Sequence, residues 1–492
     1  MPFRILDLPN ELICEIIQVL PFKTIFTIQR VNHHFHALAQ GLLYKKLGDL
    51  TSDNRGGTCL TSWDALELLR VFDKEPHFVG RVQSMYINWD WGFGCTSIYE
   101  LSRRWEETAA TADLAIWARE TKALGVTGGQ FPSIPYPESE DHVHLEDWPV
   151  EFADAALPLL LTKLMNLEVL ECTGFTHDAF CFPFMWQTFK KPVFQNLRTL
   201  IWTEDDGILP GFPVVYIIPM MMVAPTLERI STTGGFGSMG ANDDAGPIFF
   251  LDGRPGQMLL DRLVVPGFQC NITSLEFNMA NIQPKLFRWL LRHTKMLQRF
   301  KYTACAEASP PGILSGFVHR VILEDMMEAL KQVQHTLRVL HLDVGLRRRG
   351  YVPNEMVEDL AVQFESFEEF YQLRSMTVNF YQMVPLNTIL TPEVEPTLLD
   401  RLPPNLEYFA FADGVGEENI RKLYNATVGE YYEEITKHML QVLHAKMEGE
   451  MMQSLESVVT PVPPDVDSRR KLVEACSTGD VTCKFWDAAQ EF

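Results

Sequence analysis

Asn166-Leu167-Glu168-Val169-Leu170-Glu171-Cys172-Thr173 sets the pattern from which the fold is read. Leu167, Leu170 and Cys172 follow an apolar-x-x-apolar-x-apolar spacing. Its last two members alternate as in a half-buried strand, and the first anchors the turn before it. The same spacing occurs at Val82/Met85/Ile87, Leu197/Leu200/Trp202, Leu227/Ile230/Thr232, Leu260/Leu263/Val265, Leu297/Phe300/Tyr302, Leu337/Leu340/Leu342, Leu373/Met376/Val378 and Leu406/Phe409/Phe411. From Leu167 onward the intervals are 30, 30, 33, 37, 40, 36 and 33 residues, a period that implies a repeat. A polar-Leu pair opens many units, as in Asn166-Leu167, Asn196-Leu197, Thr226-Leu227, Thr336-Leu337 and Asn405-Leu406.

Helix-like segments lie between the strands at 150–164, 284–293, 320–333 and 353–370. One strand and one helix cannot bury their apolar faces alone, so stacked units sharing a continuous core are expected. The pattern resembles a degenerate leucine-rich repeat, which implies an α/β solenoid of irregular strand-helix units forming an arc. The Asn or Cys that the family carries three positions after the last apolar residue is met by Cys305 alone. A side-chain ladder joining the units is therefore not expected, and irregular curvature is.

Working outward, residues 92–149 break the rhythm with a helix-like piece and a Gly/Pro/acidic loop. Toward the other end, Tyr431, Ile435, Met439 and Val442 mark a long amphipathic helix within 417–455. It is read as a cap on the last repeat, with a coiled-coil dimer as the alternative. Pro461, Pro463 and Pro464 then open what reads as a flexible tail.

The N-terminal segment is of another kind. Leu8-Pro9-Asn10-Glu11-Leu12, then Ile16, Leu20-Pro21, Ile25, Ile28, Val31 and Phe35 fit three short helices. Asp7 or Asn10 is available to cap the first, and Pro21 ends it. So much apolar surface exceeds what three small helices bury among themselves, so part of it needs a partner. The order and spacing of these residues resemble the F-box, by which substrate receptors of SCF ubiquitin ligases hold the Skp adaptor. Phe35 stands where the family often has Trp, and Ile25 where Leu is usual. The resemblance implies adaptor contacts by Leu8, Pro9, Leu12, Ile16, Leu20, Pro21, Ile25, Ile28, Val31 and Phe35.

Composition excludes other roles. A formal charge of -22 opposes general affinity for nucleic acid or anionic membrane. Nine scattered cysteines without a C-x-x-C pair, and no long apolar run, point to reduced thiols and a cytoplasmic or nuclear address. Gly235-Phe236-Gly237-Ser238-Met239-Gly240 matches G-x-G-x-x-G, but 241–247 cannot open the helix a dinucleotide requires, so a loop is expected. His142 and His144 lack a third ligand at a zinc-like spacing. No catalytic residue, metal or cofactor is read from the sequence.

Residues between the inward positions of each strand face the opposite side of the sheet. There Arg229, Arg262 and Arg299 share one offset in consecutive units, with Lys301 beside them. Strands about 4.8 Å apart would align these cations into a basic patch suited to an acidic or phosphorylated peptide.

These readings give an F-box at 1–47, a repeat domain at 48–413, a helical cap at 414–458 and a tail at 459–492. The resemblance implies a non-catalytic, substrate-recognition subunit of an SCF-type E3 ligase. A protein-interaction scaffold outside any ligase is the alternative.

Overall fold

The structure, a computed structural model, describes residues 8–20, 22–47, 62–88, 159–173, 194–203, 217–233, 236–237, 270–282, 284–304, 323–343, 364–384, 398–412, 427–449, 451–463 and 465–486. The chain divides into two compact units. Unit 1 is Met1–Ile208 with Tyr216–Glu228, and unit 2 is Leu209–Val215 with Arg229–Phe492.

Unit 1 begins with helices α1 (Asn10–Gln18), α2 (Phe22–Ile28) and α3 (His33–Leu43). Pro9, not Asp7 or Asn10, holds the N-cap position of α1 and supplies no side-chain bond; Asn10 is already the first helical residue, and Asp7 lies outside the described residues. The cap signal is instead used at α3, where Asn32 Oδ1 accepts from the Phe35 amide at 2.8 Å. α3 runs into a short strand, β1 (Lys46–Leu47), followed by α4 (Ser62–Lys74), a 3-10 turn (Pro76–Arg81), β2 (Ser84–Asn88), β3 (Val169–Thr173) and β4 (Thr199–Thr203). Each strand pairs in parallel with the one before it. Helix α5 (Ile217–Val223) completes the unit's described elements.

Unit 2 continues with β5 (Arg229–Thr233), β6 (Phe236–Gly237), β7 (Ser274–Ile282), α6 (Pro284–His293), β8 (Arg299–Ala304), α7 (Leu323–Lys331), β9 (Val339–Asp343) and β10 (Ser375–Val378). After these come α8 (Phe380–Met383), α9 (Leu398–Arg401), β11 (Tyr408–Phe411), α10 (Val428–Met447), β12 (Ser457–Pro461), α11 (Val466–Thr478) and β13 (Thr482–Trp486). From β7 to β13 each strand lies parallel beside its predecessor, with one register shift between β7 and β8 after Phe277, and β5 pairs directly with β7. Within each unit this order is solenoid-like.

The alternation of each strand explains the core. Leu170/Cys172 and Leu200/Trp202 in unit 1, and Phe300/Tyr302, Leu340/Leu342, Met376/Val378 and Phe409/Phe411 in unit 2, are all buried. Phe287 from α6 stands edge-on against Phe300 at 5.9 Å and Tyr302 at 4.9 Å, the favoured geometry for rings of opposed edge and face charge.

Several sequence expectations change. The unit placed at Leu260/Leu263/Val265 lies outside the described residues, and the strand between β5 and β8 is β7. Ile272, Leu275 and Phe277 carry the same spacing there and are fully buried. Two candidate triplets occur twelve residues apart, and the pattern alone cannot choose between them. The helix expected over 353–370 is not found in its described part: Phe364, Phe367 and Phe370 have helical spacing, but the amides of Phe364 and Phe367 bond sideways to the Gln382 and Arg401 carbonyls at 2.9 Å each. The G-x-G-x-x-G loop reading is also modified, since Phe236–Gly237 form a short strand against Asn281–Ile282. His142 and His144 lie outside the described residues.

The expected C-terminal cap and flexible tail are replaced by two further turns of the same architecture. α10 is the crossover between β11 and β12. It opens on a capping box in which the Thr427 amide donates to Glu430 Oε2 at 2.7 Å and the Glu430 amide to Thr427 Oγ1 at 3.3 Å. Ser457-Val458-Val459-Thr460 is a β-branched run, and Pro461 sits at the strand's end, where its missing N–H is tolerated.

A ladder between units of the repeat is present after all, at a different position. In five of the units the polar residue before the anchoring Leu bonds back to an earlier unit: in unit 1, Asn166 Nδ2 donates to the Gly80 carbonyl at 2.7 Å, Asn196 Nδ2 to Met165 at 2.8 Å and Thr226 Oγ1 to Leu197 at 3.0 Å. In unit 2, Thr336 Oγ1 donates to Lys295 at 3.2 Å and Asn405 Nδ2 to Tyr371 at 3.0 Å. Replacing Asn405 with Ala is expected to lower unfolding free energy by about 0.5–1.5 kcal/mol, measured from the denaturant midpoint at unchanged slope.

Candidate functional site

The three N-terminal helices pack around Ile13, Ile17, Ile25, Phe35 and Ala39, with Leu8, Leu20, Ile28, Leu38, Leu42 and Leu43 partly buried at the rim. That core is complete without the outward side chains. Leu12 and Ile16 remain 44% and 39% exposed, Val19 81%, Phe26 43% and Val31 64%. Leu12, Ile16 and Val19 are spaced by four and three residues, so α1 carries a second apolar stripe beside its Ile13–Ile17 stripe. The Arg30 guanidinium lies 4.7 Å over the Phe26 ring, leaving that ring held at the surface.

The ten residues singled out in the sequence therefore separate. Leu12, Ile16, Val31 and Pro9 face outward, and Leu8, Leu20 and Ile28 sit at the rim. Ile25 and Phe35, at 8% and 9% exposure, are committed to the bundle's own core. Pro21 lies outside the described residues. The sequence reading passed over Val19 and Phe26, although Val19 continues the Leu12–Ile16 spacing and was legible there.

The bundle is joined to the sheet by backbone. The Lys45 carbonyl accepts from the Gln83 and Ser84 amides at 2.9 and 3.1 Å, and Lys46 and Leu47 pair with Ser84 and Met85. Tyr44 stacks on Phe78 with ring centres 4.1 Å apart and planes 18° from parallel. The Arg81 guanidinium lies over α3 at Gly41, with Nη1 2.9 Å from where a Cβ would stand.

On the open face of unit 2 the expected row of three arginines reads otherwise. Arg229 aligns with Ser274, and Ser274 with Arg299; Arg262 lies outside the described residues. Two positions along β7, buried Glu276 receives both cations: Arg229 Nη2 and Arg299 Nε each stand 3.3 Å from its Oε1. Lys301 is in register with Glu276. The guanidiniums are about half exposed, at 54% and 53%, so one buried carboxylate orients two cations whose outer N–H groups face solvent. Among the described residues no group of three or more His, Cys, Asp or Glu side chains could hold a metal ion, and no helix is long and apolar enough to cross a membrane.

No curated protein matches the chain. The family comparison agrees with the geometry of the bundle: residues 5–47 match the F-box domain, a module that binds the Skp adaptor of SCF-type cullin-RING ligases.

Proposed function

We propose that this chain is the non-catalytic substrate-recognition subunit of an SCF-type ubiquitin ligase, holding the Skp adaptor through the outward stripe of its F-box and a protein substrate on its sheet. The observation that carries this reading is the Leu12–Ile16–Val19 stripe, left open by a bundle whose interior is already full. Leu8, Pro9, Leu12, Ile16, Leu20, Pro21, Ile28 and Val31 supply the adaptor contacts, joined by Val19 and Phe26, while Ile25 and Phe35 support them from behind. The chain itself contributes proximity: it raises the concentration of substrate lysines near a conjugating enzyme carried by other subunits.

For the substrate, Arg229, Arg299 and Lys301 around Glu276 favour an acidic or phosphorylated segment. Three cations against one carboxylate leave a local positive excess on a strongly acidic protein.

Co-purification tests the assembly. The full chain is expected to bring down both the adaptor and, through it, a cullin; adaptor without cullin would establish a scaffold outside the ligase, and neither would overturn the reading. An R229E/R299E double variant is expected to weaken binding of acidic peptides at least tenfold, read by fluorescence polarisation at fixed ionic strength, and unchanged affinity would remove the assignment of that face.

A further inference from the structure

One line of residues crosses the open face of unit 2 and divides into two chemical halves. Through the pairing of β5, β7, β8, β9, β10 and β11, the first residues of these strands stand side by side: Arg229, Ser274, Arg299, Val339, Ser375 and Tyr408. The residue after each, from Ile230 on β5 to Phe409 on β11, is fully buried, so these six point to the opposite side of the sheet. The line reads large-small-large twice. Ser274 lies between Arg229 and Arg299, and Ser375 between Val339 and Tyr408. Side chains stand roughly perpendicular to a sheet, so each serine floors a notch between two taller neighbours.

The first notch is cationic. Ser274 Oγ donates to Glu276 Oε1 at 3.4 Å, the same oxygen that meets Arg229 Nη2 and Arg299 Nε at 3.3 Å each. The second is uncharged. Val339, Ser375 and Tyr408 are all partly exposed, and burial holds the Tyr408 hydroxyl above its usual range, as on a poorly hydrated surface. Among the described residues no charged side chain stands on this face from β10 to β12.

On the reading of this face as the substrate surface, we propose that the substrate segment is bipartite. An acidic or phosphorylated residue seats over Ser274, and an apolar residue over Ser375, about four residues away in an extended chain that crosses the strands. The spacing follows from the sheet. Three strand-to-strand steps of about 4.8 Å separate the two serines by about 14 Å, and an extended chain covers about 3.3 Å per residue. Outer N–H groups of the two guanidiniums hold the anion by charge-assisted bonds. The apolar side chain displaces water from Val339 and the Tyr408 ring, adding affinity that owes nothing to charge. A purely acidic segment fills the first notch alone and binds less tightly than one carrying both features.

Fluorescence polarisation with the full chain tests this, using labelled Gly/Ser peptides that carry one phosphoserine. A single Leu stands one, four or seven positions away on either side, or is absent. At fixed ionic strength the parent is expected to bind the four-position spacing, on one side of the phosphoserine, about fivefold or more tighter than the peptide without Leu. The other spacings are expected to gain less than about twofold. Ser375→Tyr fills the second notch with a side chain that suits a strand, and is expected to bring the ratio between those two peptides to about one. A parent that gains nothing from Leu at four positions overturns the proposal; if its phosphoserine binding is still lost in R229E/R299E, the cationic face stands without a second notch. Equal gains at every spacing, or a gain that persists in Ser375→Tyr, also overturn it, because the Leu then sits elsewhere. Binding of none of the peptides removes the substrate-face reading and the proposal together.

Discussion

Aspartate at position 12 or 16 is expected to abolish capture of the Skp adaptor while leaving the chain folded. Both side chains stand outside a core built from Ile13, Ile17, Ile25, Phe35 and Ala39, so a charge there stays in water in the free protein. On association the same charge would be buried in an apolar contact without a partner. Anchor residues of this kind are worth about 2 kcal/mol or more, close to thirtyfold in affinity, and a desolvated carboxylate adds to that loss. Titration calorimetry with purified adaptor reads the effect, and far-UV circular dichroism matching the parent shows that folding is intact. The contrast is Ile13→Asp, which is expected to unfold the bundle. Undiminished capture by Leu12→Asp and Ile16→Asp together would show that the adaptor uses another surface.

The second large effect lies in unit 2. Phe300 is fully buried, with Phe277 at 6.3 Å and Phe287 at 5.9 Å packed edge-on against it. Truncation to Ala leaves a ring-sized void among side chains that cannot collapse into it. The expected cost is about 3–5 kcal/mol, read as a lower denaturant midpoint of the transition reporting on unit 2. Adaptor capture is expected to persist, since no F-box core residue takes part in this cluster. A loss below about 1 kcal/mol would mean that the aromatic cluster is not what holds α6 on the sheet.

A smaller effect depends on acidity. Glu434 Oε1 accepts from Lys437 Nζ at 2.8 Å and lies 3.2 Å from His438 Nε2, and these two close contacts, that with His438 foremost, lower the carboxyl from its ordinary 4.5 to about 2. The folded state thus favours the ionised form. The resulting stabilisation is complete above the unfolded pKa near 4.5 and is lost as pH falls toward about 2. Glu434→Gln is expected to flatten the acid limb of a stability-versus-pH curve in that window and to leave its slope above it unchanged.

How much of this was legible in the sequence depends on what each signal measures. Alternation at Leu170/Cys172 or Phe409/Phe411 reports directly on which side of a strand is buried, so the strands could be placed without coordinates. α6 spans Pro284–His293, the same range the apolar spacing marks, with Pro at its start. Phe364, Phe367 and Phe370 misled because three-residue spacing also suits an extended segment whose amides bond to a neighbouring turn. The strand at β7 was missed because Leu260/Leu263/Val265 and Ile272/Leu275/Phe277 satisfy one template, and the choice is made by packing against Ile230 and Phe300. β12 and β13 were hidden by prolines, which punctuate the ends of elements as readily as they mark unstructured chain. In the F-box the motif located the module but could not tell the residues that fill its interior from those that face a partner. That division depends on where each side chain points around α1, α2 and α3.

The Lys45–Leu47 rung gives the bundle no hinge. Because α3 passes into a strand already bonded to Gln83, Ser84 and Met85, any tilt imposed on the helices by a docked subunit is inherited by the first strands of the sheet. Since β2 pairs in parallel with β3, and β3 with β4, the helices and the strands of unit 1 would swing as one gantry rather than on a tether.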